Sequence, residues 1–264
     1  MHLLLTNDDG VYASGLWALY RRFATRHRVL VIAPDRERSA IGHAITLHRP
    51  LHVTEVRVDG GLKAYSVTGT PADCIKLGIL EILKQRPDLV ISGINQGANV
   101  GINLNYSGTV AAAREAALYG IPALAVSACG NPEQRCEEIA SFIETLADYV
   151  FKNGLPSGTF INVNLPDIPL SGVKGIRFSR QGLCLAKEYF EKRKDPRNRT
   201  YFWQGCDSQP AAENPEIDAC ALAQQYISIT PIKTDTTDYR FLEEIKNWGI
   251  SIINDGLPSK EGED

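Results

Sequence analysis

At 264 residues and a formal net charge of -3, the chain has no bulk basicity, so a dedicated nucleic-acid binder is not expected. It has no apolar stretch long enough to cross a bilayer, and Met1-His2-Leu3 lacks the charged start of a secretion signal; a cytoplasmic protein with no membrane partner is expected. Six scattered cysteines (Cys74, Cys129, Cys136, Cys184, Cys206, Cys220) without a Cys-x-x-Cys pair read as reduced thiols, not a disulfide framework.

The apolar run Leu3-Leu4-Leu5 reads as a short buried parallel strand that stops at Thr6-Asn7-Asp8-Asp9-Gly10. In open α/β sheets, ligands collect beyond the carboxyl ends of strands. Two adjacent carboxylates repel each other unless a cation or water lies close, and hard oxygen donors suit Mg, Mn or Ca. Asn-Asp-Asp-Gly is equally the composition of an ordinary polar turn, so both readings stand. Leu16, Leu19, Tyr20 and Phe23 have helical spacing, with Ser14 placed as N-cap. Val29 to Ala33 is a second buried strand ended by Pro34, which completes a βαβ unit and implies a parallel sheet. Asp35-Arg36-Glu37-Arg38-Ser39 therefore belongs to the same sheet edge as Asp8 and Asp9. Alternation from Ile45 to Val67 around Asp59-Gly60-Gly61 predicts an inserted β-hairpin.

Thr70, Pro71 and Asp73 form a strong helix start, a structural role that accounts for them without catalysis. That helix is expected to run through Ile75, Ile79, Ile82 and Leu83 to Pro87. Leu89 to Gly93 is a third strand, followed by the uncharged loop Ile94-Asn95-Gln96-Gly97-Ala98-Asn99-Val100-Gly101. Asparagine carbonyls ligate hard metals, and the amide nitrogen can hold a phosphate oxygen. Tyr106-Ser107-Gly108-Thr109 leads into a helix over Val110 to Ala116; its start reads either as a plain hydroxyl cap or as an anion site. Ala123 to Ser127 is a fourth strand, Pro132 to Lys152 a long helix, and Phe160 to Asn164 a further strand. From about Gly172 the rhythm stops. Ile176 to Phe178 is strand-like, and Lys187 to Trp203 reads as a projecting arm that meets another subunit. Tyr226 to Ile229 is the last strand, Leu242, Ile245 and Trp248 share a helix face, and Pro258 to Asp264 is a frayed tail. The expected class is α/β, with a mostly parallel sheet flanked by helices, an inserted β-hairpin and an extended C-terminal arm. Residues 1–170 would form the catalytic core, and 171–264 an extension with the arm, a closing strand and an oligomerisation helix.

Separated stretches together resemble the survival protein SurE family. They are Thr6-Asn7-Asp8-Asp9-Gly10, Ala33-Pro34-Asp35-Arg36-Glu37-Arg38-Ser39, Gly69-Thr70-Pro71-Ala72-Asp73-Cys74 and Ser92-Gly93-Ile94-Asn95-Gln96-Gly97-Ala98-Asn99. Tyr106 to Ala116 and Asp195 to Trp203 match as well, so the resemblance spans nearly the whole chain. It implies a Rossmann-like core and a metal-dependent phosphatase acting on nucleoside monophosphates. The expected substrate is a nucleoside 5'-monophosphate, with the 3' isomer as an additional one. The resemblance also implies assembly as a homodimer or homotetramer. Carried onto this chain, it makes Asp8, Asp9, Ser39 and Asn95 the ligands of one divalent cation, Mg or Mn. The sequence departs from the family pattern at Ile41 and His43, where small or hydroxyl residues are usual. His43 and Asn99 are candidate substrate contacts, although a lone histidine is more often structural; His2, His27, His48 and His52 show no ligand spacing.

The converging set predicts hydrolysis of a phosphate monoester at that cation, which would polarise the phosphoryl oxygens and acidify a water. Asp8, Asp9 and Asn95 are the candidate catalytic residues, and Asn95, Ser107, Gly108 and Thr109 would cradle the non-reacting oxygens. Water is favoured as nucleophile over either aspartate, since a carboxylate committed to metal is a poorer one. A haloacid-dehalogenase-like phosphatase would want Asp-x-Asp and a distal lysine, which Asp8-Asp9-Gly10 does not match. A non-catalytic nucleotide-binding regulatory module would want Gly-x-Gly-x-x-Gly after the first strand, and none is present.

Overall fold

The computed structural model describes residues 1–58, 60–183, 188–206, 214–248 and 250. The chain runs β1 (His2–Thr6), α1 (Ser14–Ala24), β2 (Arg28–Pro34), β3 (Val53–Val58), β4 (Leu62–Val67) and α2 (Pro71–Leu77). It continues through β5 (Leu89–Gln96), α3 (Gly108–Leu118), β6 (Ala123–Ala128), α4 (Cys136–Asn153) and β7 (Thr159–Leu165). The remainder is β8 (Ile176–Phe178), β9 (Glu188–Lys194), β10 (Thr200–Cys206), α5 (Asp218–Ala223), β11 (Ile227–Lys233) and α6 (Tyr239–Ile245).

Successive side chains of a strand point to opposite faces, so three consecutive buried leucines need cover on both sides. Leu3 and Leu5 pack into one core with α1 and α4, through Leu16, Phe23, Ile139 and Ile143. Leu4 packs into the other with α2 and α3, through Ile75, Val110 and Ala113. The sheet between them has nine strands in the order β3-β4-β2-β1-β5-β6-β7-β11-β8. From β4 to β7 every neighbouring pair is parallel; β3 against β4 and β11 against β7 are antiparallel. The α/β class, the inserted hairpin and the helices on both faces are as expected, and β9 and β10 form a separate two-stranded arm.

Three details differ. Ser14 is not the cap of α1; Ala13 occupies that position without a side-chain cap, and Ser14 hydrogen-bonds Cys136 instead. α2 ends at Leu77 and passes into a wider π-type turn over Gly78–Ile82, where Gly78 lies against Leu4 and Ile32. The last strand begins at Ile227 and extends to Lys233, because its second half still has β7 to pair with. Cys74, Cys129, Cys136 and Cys220 are free thiols, while Cys184 and the side chain of Cys206 lie outside the described residues, as does the tail from Pro258. Among the described residues no helix is long and apolar enough to cross a membrane. The described residues from Asp235 onward form a second compact unit, in which Asp238 caps α6 and Trp248 meets Phe241 edge-on at 5.6 Å.

Candidate active site

From β1 the chain moves to β2 on one side, then returns after α2 to place β5 on the other. This reversal at β1 and β5 is where open α/β sheets bind ligands. Asp8 and Asp9 follow β1, Asn95 is at the end of β5, and Ser39 lies beyond β2. Asp8, Ser39, Asn95, Asn99 and Ser107 all line one open cleft of about 700 Å³. Tyr106, together with Glu188 and Gln204 of the arm, adds a wall that the sequence did not single out.

The turn after β1 is held by Asn7, whose amide donates to the Gly10 carbonyl (3.0 Å) and accepts from the Gly10 N–H (3.2 Å). Asn7 thus shapes the turn. Asp8 is buried, and its carboxylate accepts both the hydroxyl and the N–H of Thr109, the latter at 3.0 Å. A Cβ on Gly108 would lie 2.8 Å from the Asp8 Cβ, so only glycine lets α3 approach this closely. The anion at the start of α3 is therefore the chain's own Asp8. Gly108 and Thr109 serve that carboxylate here, and the Ser107 hydroxyl caps the helix by accepting from Val110 N–H at 3.2 Å.

Burial raises the pKa of Asp8, with the bonds from Thr109 pulling against it. Asp9, half-buried, is pushed up to about 7 by burial, by Asp8 and by Glu37. Among the described residues no basic side chain pairs with either aspartate. Two adjacent carboxylates without a basic partner have the electrostatics that favour a cation. No three of His, Cys, Asp and Glu converge among the described residues, so neutral oxygens must complete any such site. Asn95 donates Nδ2 to the Gly97 carbonyl at 2.8 Å, which leaves Oδ1 as its acceptor; the Ser39 hydroxyl donates to Glu37 at 2.7 Å and keeps acceptor capacity. An all-oxygen set of this kind fits a hard divalent cation.

The aim of Asn95 comes from an irregularity in β5. The register against β6 shifts between Ser92 and Asn95, and Gly93 there has φ +147 with the Val126 carbonyl 2.5 Å from where a Cβ would be. Beyond it, Asn99 is gripped by residues sequence reading passed over. Its N–H donates to Asn164 Oδ1 and its Nδ2 to the Ser127 hydroxyl, both at 2.8 Å, while its carbonyl accepts from Asn162 (2.8 Å) and Asn164 (3.2 Å). The signal was present as two asparagines facing inward on an otherwise apolar strand.

Asp218 is the other residue missed. Fully buried, it accepts from Gly101 N–H (2.8 Å), Gly182 N–H (3.1 Å) and Ala219 N–H (2.8 Å), tying the end of the asparagine loop to the chain near the arm. Asp218→Leu leaves these donors buried without acceptors and is expected to cost about 3 kcal/mol, read from urea unfolding. His43 does not line the cleft; its Nε2 lies 2.6 Å from Glu115.

Comparison with known proteins points the same way. The family model for the survival protein SurE matches residues 3–188. A 5'-nucleotidase SurE from Desulfatibacillum aliphaticivorans is 52% identical over 250 residues, covering 95% of this chain and 99% of that one. Another, from Thermoanaerobacter sp. (strain X514), is 44% identical over 96% of this chain and its own full length. The crystal structure of the SurE protein from Aquifex aeolicus superposes with a TM-score of 0.81 at 37% identity, covering 93% of this chain and 98% of that one. With the family model spanning most of the chain and relatives matching end to end, this protein belongs to the survival protein SurE family.

Proposed function

We propose that the chain is a divalent-cation-dependent phosphomonoesterase that converts nucleoside 5'-monophosphates to nucleoside and phosphate. One observation carries the reading: Asp8 lines a cleft with Asn95 and Ser39, with Asp9 next to it in the chain, and neither carboxylate is paired with a basic side chain among the described residues. Asp8, Asp9, Ser39 and Asn95 would hold the cation, Mg²⁺ or Mn²⁺, whose charge would stabilise the phosphoryl oxygens as the ester bond breaks.

The chain's own groups do the rest. Thr109 and Gly108 hold the Asp8 carboxylate at one orientation, so it need not reorganise during the reaction. Asn95 and Ser107 border the space for the phosphate, and Asn99 is fixed beside them by Asn162, Asn164 and Ser127. At about 700 Å³ the cleft has room for a mononucleotide. Water is the nucleophile we favour, because Asp8 is engaged by Thr109; an aspartyl-phosphate trapped on Asp8 or Asp9 by acid quench overturns that choice. Gly108→Ala pushes its Cβ against Asp8 and is expected to lower turnover about 10²-fold, the typical penalty for misplacing a catalytic group by an ångström. Steady-state phosphate release measures it.

The test of the whole reading is phosphate release from a panel of 5'- and 3'-nucleotides with Mg²⁺, Mn²⁺ or chelator. Release that depends on the cation supports it, whereas binding without release under every cation favours the regulatory module. We further read residues 171–264 as the extension through which a homodimer or homotetramer forms. Exposed Tyr189, Phe190, Phe202 and Trp203 on β9 and β10 support this. The free thiols support a reducing, cytoplasmic setting.

A further inference from the structure

The loop between β2 and β3 carries Ser39 and is fastened on both flanks. Before it, the Arg38 N–H donates to the Asp8 carbonyl at 2.7 Å. After it, the Thr46 N–H and hydroxyl donate to the Asp73 carboxylate at 3.0 and 2.7 Å, and the Thr70 hydroxyl donates to the Ala44 carbonyl at 2.8 Å. In between, Ala40 borders the cleft at φ 52, a left-handed conformation that costs a non-glycine residue about 1 kcal/mol and needs surrounding contacts to persist.

His43 supplies such a contact. Its Nε2 sits 2.6 Å from Oε2 of Glu115, a side chain only 6% exposed, while the other Glu115 oxygen takes Lys76 Nζ at 3.3 Å. Glu115 belongs to α3, the helix whose first turn holds Asp8. Burial works to raise the Glu115 pKa, and the bonds from His43 and Lys76 outweigh it, so the carboxyl stays below its ordinary value. The neighbouring Gly42 N–H also reaches the Tyr106 carbonyl, just ahead of the same helix, at 2.8 Å.

We infer that His43 is a positioning residue, a latch that through Glu115 fastens the Ser39 loop to α3 and keeps Ser39 in register with Asp8 and Asn95. The cation part of this rests on the assignment of Ser39 proposed above. The experiment compares the full-length protein with His43→Leu and His43→Gln, whose amide can still donate to Glu115. It reads Mn²⁺ affinity by calorimetry without substrate, and amide hydrogen exchange over residues 36–46. His43→Leu is expected to weaken Mn²⁺ binding about tenfold, as loss of an outer-shell partner does. It should also speed exchange in the loop about tenfold, with α3 unchanged. His43→Gln should restore both. Unaltered loop exchange in His43→Leu overturns the latch. Loss of kcat in both variants with exchange and Mn²⁺ affinity unchanged also overturns it, and makes His43 a proton donor. Faster exchange with unchanged Mn²⁺ affinity keeps the latch and removes Ser39 from the cation instead. Should His43→Leu fail to fold, His43→Asn, too short to reach Glu115 as glutamine does, makes the same comparison against His43→Gln.

Discussion

Asp8→Asn is expected to lower phosphate release from a nucleoside 5'-monophosphate by at least about 10³-fold, while the protein still folds. The substitution keeps an acceptor for Thr109 and nearly the same volume, so the packing around β1 and α3 has little reason to change. What it removes is a buried negative charge. Burial already disfavours that charge, as the raised pKa of Asp8 shows, so the chain retains it against its own stability. Two measurements check this together: turnover with saturating Mn²⁺, and thermal unfolding in chelator. A variant that turns over normally would remove Asp8 from the site, and one that unfolds would give it a structural role instead.

Asp9→Asn should raise stability in the absence of metal at neutral and higher pH. Asp9 titrates near 4 in an unfolded chain and near 7 in the folded one, so the folded state holds this proton more tightly. Its contribution is therefore fully present below about pH 4 and is lost as pH rises towards 7. Asparagine carries no such proton. In chelator at pH 8 the variant should be more stable by about 2 kcal/mol, allowing for partial solvent screening, or about 5 °C in melting temperature. The gap should close below pH 4. Mn²⁺ at pH 8 should reverse the order, because a cation bound only by the folded state raises the melting temperature of the wild type by mass action. A wild-type melting point that ignores both pH and Mn²⁺ would contradict the cation site.

Both effects were partly readable from the chain. Leu3-Leu4-Leu5 followed by Asp8-Asp9-Gly10 placed two carboxylates at a strand end, and the βαβ unit through Pro34 brought Ser39 to the same edge. Those inferences rest on periodicity and on topological rules that act over some thirty residues. Other contacts depend on a partner far along the chain, which local pattern does not reveal. Thr109 reads as a phosphate donor because helix starts bind anions, and in the structure it donates to Asp8, 101 residues earlier. Asn162 and Asn164 read as parts of a plain strand, although they hold Asn99 from the far side of β6. Ser14 reads as a cap for α1, and packing against Cys136 gives its hydroxyl another partner.

By itself, then, the amino-acid sequence determined the α/β class, the two-faced core, the succession of strands and helices and the polar segments that follow the strand ends. Those are local matters, since side-chain alternation, capping and crossover handedness need no distant information. Only the tertiary structure decided what each polar group faces: that the first turn of α3 holds Asp8, that His43 turns to Glu115, and that Asp218 secures Gly101. A polar side chain within a fold is assigned by whichever partner packing brings to it, and burial makes leaving it unpaired too costly for any other choice.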